Sequence, residues 1–412
     1  MKNRFLRVYF NKIQKTEVKS VMNPREIKKA AKLDKKLRRK AYKNGNYVTV
    51  TDFAAFSAPL SELPFCEADV ATLCQLSYCH FDNYIGWQLM EIASSDFDET
   101  AVAPYITDLN AAVVRNLASS ARLGTARVLE VVDAFDETVS CQCGVTLFDF
   151  ADRYIFVCRG TDEKMIGWYE DFDLVIKGTL PSHRVTVDAL NEFMAKYTDK
   201  PFVVAGHSKG GNMALYASAN CAETSQDRIE TVYNLDGPGL LDGVADADGM
   251  KRIMPKVVKI CPELSFFGMI LQKDEPRLEV VYSHAKDITQ HDLLKWQIDK
   301  KTGKLVRAYR LSHASHTVRR TIERMLPKLS EQDLLYMRDF IVSVMGHAGI
   351  FVFNDITAKR LLALPLKCFK QPGKQRRFMW RILFRVIGNA IAVQKLSTKD
   401  YKTYLPHGNG SV

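Results

Sequence analysis

Gly206-His207-Ser208-Lys209-Gly210 places a serine two residues from a glycine on either side. A serine hydroxyl is a poor nucleophile unless it is exposed on a strained turn, lies near a base and faces backbone N–H donors that can hold an oxyanion. The apolar run Phe202-Val203-Val204-Ala205 leads into the turn, and Gly211-Asn212-Met213-Ala214-Leu215-Tyr216-Ala217 leads out of it. That order is strand, sharp turn, helix, and the two glycines let strand and helix approach without Cβ clashes. The chemistry such an elbow serves is acyl transfer through a covalent acyl-enzyme. The competing reading is an inert glycine-rich turn or a phosphate cradle, although the P-loop pattern G-x-x-x-x-G-K-[ST] is absent.

The elements that must position Ser208 follow from the pattern between residues 140 and 300. Thr146 to Phe150 and Arg153 to Cys158 are apolar runs separated by Ala151-Asp152, which predicts a hairpin. Val185 to Tyr197 reads as a helix before the elbow. Strand-like runs recur at Glu230 to Leu235, Lys256 to Cys261 and Leu278 to Ser283, with a helix over Asp242 to Met250. Alternating strands and helices predict an α/β fold with a mostly parallel central sheet flanked by helices. In such sheets ligands bind outside the carboxyl ends of the strands, so residues just after successive strands can meet at one site. These are Arg159, Gly160 and Thr161, then Ser208, then Asp236, then Glu263 and Ser265, and finally a loop with His284, Asp287 and His291. Serine, acid, histidine is the chain order that this type of sheet uses for acyl transfer.

The run Ile155-Phe156-Val157-Cys158-Arg159-Gly160-Thr161, the later Trp168 and Asp171, and Gly206 to Gly211 resemble the class 3 (fungal-type) lipases, which are α/β-hydrolases. A closer resemblance, over about residues 46–300, is to the lipase-related bacterial Mbeg-like proteins. It rests on Leu73-Cys74-Gln75-Leu76-Ser77-Tyr78, Gly167-Trp168-Tyr169-Glu170-Asp171-Phe172, Asn234-Leu235-Asp236-Gly237-Pro238-Gly239, and Gln290-His291-Asp292 followed by Trp296.

With that resemblance Ser208 is the expected nucleophile and His291 the expected general base, with His284 as its competitor. The backbone N–H of Lys209 is one expected oxyanion donor, and the resemblance places Thr161 at the second, through its N–H and also its hydroxyl. His207 fits a packing role. Asp236 is the expected acid, Glu263 is the alternative, and Asp236 also suits a cap on the Gly237-Pro238-Gly239 turn. Class 3 lipases carry their aspartate one strand later, where this chain has Glu263 and Ser265. They usually have leucine at the position of Lys209, whose side chain is expected to bind an anionic head group or to lie in solvent. Asp171 and Asp173 are expected supports of the oxyanion loop, and residues 161–185 and 239–255 are candidate covers.

The 412 residues carry a net charge of +11, unevenly spread. Residues 1–45 hold 16 Lys/Arg and 3 Asp/Glu, and residues 356–412 hold 12 Lys/Arg and 1 Asp, so the stretch between is acidic. This predicts three parts: a basic N-terminal extension (1–45), an α/β-hydrolase domain (46–355) and a basic amphipathic C-terminal extension (356–412). Residues 24–43 read as a helix with charges all round it, solvated and without an apolar face. Residues 374–393 place Arg377, Arg381 and Arg385 four apart among Phe378, Trp380, Ile382, Leu383 and Ile387, which suits an interfacial helix on an anionic membrane. Nucleic-acid binding is not expected, since no aromatic interleaving accompanies the lysines.

Nine scattered cysteines, with Cys141-Gln142-Cys143 lacking a second cluster, suggest reduced thiols and no metal. No cofactor is implied. Met1 to Phe10 lacks a secretory pattern, so a cytoplasmic protein, peripheral to the membrane at most, is expected. The activity expected is that of a serine hydrolase on an acyl ester such as a lipid. The alternative is a non-catalytic lipase-like scaffold that binds lipid or a protein through its basic ends.

Overall fold

The computed structural model describes residues 24–56, 58–97, 107–162, 165–272 and 277–349, and isolated helical residues between 373 and 384. A seven-stranded sheet runs in the order β2 (Arg127–Asp136), β3 (Cys141–Phe150), β4 (Arg153–Cys158), β5 (Phe202–His207), β6 (Ile229–Leu235), β7 (Val257–Pro262), β8 (Leu278–Val281). β2, β3 and β4 are antiparallel, and every pairing from β4 to β8 is parallel. β1 (Tyr47–Thr49) and β9 (Gln297–Asp299) form a separate two-stranded sheet. This is the mostly parallel, helix-flanked sheet of an α/β-hydrolase fold.

Side chains on β4 and β5 alternate between two apolar cores, as the period of two requires. Ile155, Val157, Val203 and Ala205 enter one core, together with the helix Glu67–Leu76 and Trp296. Tyr154, Phe156, Cys158, Phe202 and Val204 enter the other, under the helices Pro181–Lys196 and Lys209–Asn220. Burial on both faces explains why these strands read as unbroken apolar runs. The hairpin at Ala151-Asp152 is present, with Ala151 at φ 58°.

Two elements differ from expectation. β2 is an additional ten-residue strand whose outer half carries exposed or half-buried side chains, so Glu130, Asp133 and Asp136 hide its pattern. The N-terminal helix Pro24–Lys43 also does not lie free in solvent. Ala30, Asp34, Lys35, Leu37, Arg38, Ala41 and Tyr42 form a half-buried face. On it Arg38 donates to Asp34 at 2.8 Å, Lys35 pairs with Glu263 at 3.8 Å, and the Tyr42 ring lies 4.4 Å from that of His284. The charges on that face are neutralised by partners, which a count of charges around the helix does not reveal.

Most of 356–412, and with it the interfacial helix expected over 374–393, lies outside the described residues. Of that stretch Arg376, Arg377, Phe378, Trp380, Arg381 and Phe384 are helical. No described helix is long and apolar enough to cross a membrane.

Candidate active site

β5 ends at His207 and the next helix begins at Lys209, so Ser208 alone makes the turn, with φ 56° and ψ −131°. A non-glycine residue there is strained, and the surroundings must hold it. The Ser208 N–H donates to the Leu235 carbonyl at 3.0 Å, and its own carbonyl accepts from the Gly211 N–H at 2.9 Å. The flanking glycines are steric necessities: a Cβ on Gly206 would meet the Gly210 carbonyl oxygen at 2.1 Å, and one on Gly210 would meet that of Cys158 at 2.1 Å.

Asp236 follows β6 directly and also has positive φ, 49°. Its N–H donates to the Ile260 carbonyl on β7, which fixes its direction. The carboxylate is fully buried, accepting from the Ser265 hydroxyl at 2.5 Å and meeting His291 Nδ1 at 2.7 Å. With Nδ1–H donating to Asp236, the unprotonated Nε2 of His291 is left as the basic nitrogen. Capping of the turn falls to Asn234 instead, whose Oδ1 accepts from the Gly237 N–H at 2.8 Å.

The His291 loop is held from several sides. Gln290 accepts from the Leu264 N–H at 2.8 Å and donates to the Ala285 carbonyl at 3.2 Å. The buried Trp296 indole donates to the Gln290 carbonyl at 2.8 Å. Asp292 caps the short helix Leu293–Lys295 through the Leu294 N–H. The Phe267 ring lies 4.4 Å from the His291 ring.

His207 supports the site and is not a competing base. Its Nε2 faces the His291 carbonyl at 2.8 Å and its Nδ1 faces the Tyr78 hydroxyl at 3.1 Å. The consistent assignment is an Nε2–H donor and an Nδ1 that accepts from tyrosine, which is a neutral ring. Burial, followed by the charge of His291, pushes its pKa well below the usual value. His284 lies against Tyr42 and Gln297, 3.5 Å from the latter's amide nitrogen. Glu263, the alternative acid, faces Lys35 on the N-terminal helix, while the carboxylate brought to His291 belongs to Asp236.

The loop after β4 abuts the elbow, since a Cβ on Gly160 would stand 3.1 Å from Ser208 Cβ. Thr161 does not offer its hydroxyl to the site as expected. That hydroxyl donates to Asp171 at 2.8 and 2.9 Å, which leaves the Thr161 N–H as its candidate donor to the site. Burial pushes the Asp171 carboxyl up to about 6, opposed by Lys209 and by the Thr161 hydrogen bond. The Lys209 N–H, first in its helix, has no acceptor one turn back.

The Lys209 side chain is neither in solvent nor free to bind a head group. It is 1% exposed and donates to Glu170 at 2.6 Å and to the carbonyl and side-chain oxygens of Gln142 at 2.9 and 3.0 Å. Glu170 also accepts from the Gln142 N–H at 3.0 Å. A Cβ on Gly167 would overlap both Gln142 and Thr161, so the helix Met165–Ile176 sits closely over β3 and the oxyanion loop. Asp173, on the same helix, pairs with Arg338 and Lys177. The bonds of Ser265 to Asp236 and of Gln142 and Glu170 to Lys209 were not foreseen although all three residues stand in segments noted above, because the partners lie 29, 67 and 39 residues away in the chain.

None of the eight described cysteines is in a disulfide, and burial pushes the thiols of Cys74, Cys79, Cys143 and Cys158 well above their ordinary range. His80, Asp82 and Asp133 form an exposed cluster, but Asp133 is already paired with Arg159 at 2.7 Å.

Solved structures with a similar arrangement include a fungal lipase (10% identity, 58% of this chain and 84% of that one, TM-score 0.34). Others are the Lip2 lipase of Yarrowia lipolytica (10%, 58% and 93%, TM-score 0.32) and the Rhizomucor miehei lipase with its propeptide (12%, 53% and 67%, TM-score 0.31). No curated protein matches the chain in sequence. The Mbeg1-like family model matches residues 117–342, more than half of the 412 residues and all of the strands from β2 to β9; the chain belongs to the Mbeg1-like family.

Proposed function

We propose that the protein is a serine hydrolase that cleaves acyl esters, lipid esters among them. The observation that carries this reading is the 2.7 Å contact of His291 Nδ1 with the buried Asp236 carboxylate, beside a serine held at φ 56°. A histidine so oriented has a basic Nε2, and a serine so strained presents its Oγ at the end of the strand.

The Ser208 Oγ attacks the acyl carbon while its proton passes to His291 Nε2. The carbonyl oxygen becomes an oxyanion that accepts hydrogen bonds from the N–H groups of Lys209 and Thr161, each such donor contributing about 3 kcal/mol. Collapse breaks the ester C–O bond, and the leaving alkoxide takes the proton from Nε2. Water then attacks the acyl-enzyme, gives a proton to Nε2 and releases the acid as Ser208 regains its hydrogen. Asp236 stays ionised throughout, holding the Nδ1–H and stabilising the imidazolium.

Ser208→Ala is expected to abolish both fluorophosphonate labelling and hydrolysis of p-nitrophenyl esters while leaving the circular dichroism unchanged. Persistent labelling of that variant would sink the assignment, and a wild-type protein that resists the probe would favour a non-catalytic scaffold. A series of p-nitrophenyl esters of increasing chain length then measures the acyl preference.

A further inference from the structure

The half-buried face of the helix Pro24–Lys43 leaves the opposite face to solvent. Lys29, Lys32, Lys36, Arg39, Lys40 and Lys43 are all exposed, at spacings of three, four, three, one and three residues. That is one continuous stripe, about 21 Å long at the helical rise. The only acidic residue between them, Asp34, is on the other face and bound to Arg38. Among the described residues none of these six side chains has an acidic partner. Within the stripe lies Leu33, 50% exposed.

The buried face rests on the two segments that form the rim of the site. Lys35 meets Glu263, three residues before the 43% exposed Phe266, and Tyr42 meets His284, four before the 54% exposed Ile288. Those segments are joined to each other by the Leu264–Gln290 hydrogen bond and by Phe267 against His291. The helix that carries the cationic stripe is therefore packed on two segments that also expose Phe266 and Ile288, next to the residues that hold His291.

We infer that this helix is a docking face for an anionic lipid surface, and that it seats the protein with the Phe266 and Ile288 rim against the acyl region. Cations attract the head groups, and Leu33, Phe266 and Ile288 offer apolar insertion, the two components of interfacial binding. The apolar components distinguish a bilayer from a nucleic acid, whose phosphates would match the lysines alone. The choice of lipid draws on the esterase reading, but binding is measured without turnover, so the two fail separately.

The test is sedimentation of the full-length protein with phosphatidylcholine vesicles with and without about 30% phosphatidylglycerol, which supplies the negative surface potential. Wild type is expected to bind the anionic vesicles selectively and to be released by salt. Lys29→Ala, Lys32→Ala, Lys36→Ala and Lys40→Ala together, chosen because alanine favours the helix, should weaken binding by about fivefold per lysine. The corresponding four arginine substitutions should restore it. Ser208→Ala protein should bind like wild type. Undiminished binding of the alanine variant, equal binding to both vesicle types, or preference for duplex DNA over anionic vesicles would each overturn the inference.

Discussion

At the residue scale the site depends on where one proton sits. Asp236 accepts from His291 Nδ1, so an isosteric amide would offer the wrong group and favour the opposite tautomer. Asp236→Asn is expected to lower kcat by about 10⁴-fold with little change in KM, in steady-state assays on a soluble ester. Glu263→Gln, which touches Lys35 and not His291, should change kcat less than twofold by comparison with such losses. Asp171 supplies a pH signature of its own. Its folded pKa of about 6 lies above the usual 3.8, so its stabilising contribution is complete below 3.8 and is lost as pH rises through 6. The thermal midpoint of wild type relative to Asp171→Asn should therefore fall between pH 4 and pH 6.

These residues differed in how far the sequence disclosed them. Ser208 was legible because the elbow is local: five consecutive residues carry the strand end, the turn and the helix start. The strand ends narrowed the acid to Asp236 or Glu263 and the base to His284 or His291, because a parallel sheet brings them to one edge, and His291 was singled out only through the family resemblance. The Lys209 side chain was not, because a lysine buried by partners 39 and 67 residues away looks like any surface lysine in the chain.

At the element scale, the helix Met165–Ile176 is joined to the elbow by the Lys209–Glu170 pair, in which both side chains are almost fully buried. Removing one partner leaves the other buried and uncompensated, which costs about 3–5 kcal/mol. Lys209→Leu, the residue usual in class 3 lipases, and Glu170→Leu should each lower stability by that order in denaturant unfolding. The double variant should lose less than the sum, since two apolar residues can replace a buried pair. The same scale explains why β2 and the packing of the N-terminal helix were not legible in the sequence. Both carry charges whose partners belong to other elements, such as Arg159 for Asp133 and Glu263 for Lys35. The hairpin of β3 and β4, buried on both faces, showed its apolar pattern openly.

At the scale of the whole molecule, two buried histidines tie the fold to neutral pH. Burial holds His183 down to about 4, between the Leu180 N–H and the Asn212 side chain, and it holds His207 well below the ordinary value. A depressed pKa contributes stability that is present above 6.5 and lost as pH falls through the folded value. The thermal midpoint should drop between pH 6.5 and pH 4, and His183→Gln should flatten part of that slope. The overall α/β architecture was legible from alternating strands and helices, but the packing of the basic N-terminal helix was not, because its contacts are made across more than 200 residues of chain.

The Lys209–Glu170 pair also bears on which side of Ser208 is able to open. Swinging the helix Met165–Ile176 outward would separate two charges and expose them unequally, at about 3–5 kcal/mol. An equilibrium of that size keeps the displaced form on the order of one molecule in a hundred to one in several thousand. The pair therefore favours this helix as a standing wall beside the elbow. On the esterase reading, access to the serine is then expected from the opposite bank, where Phe266 and Ile288 face solvent.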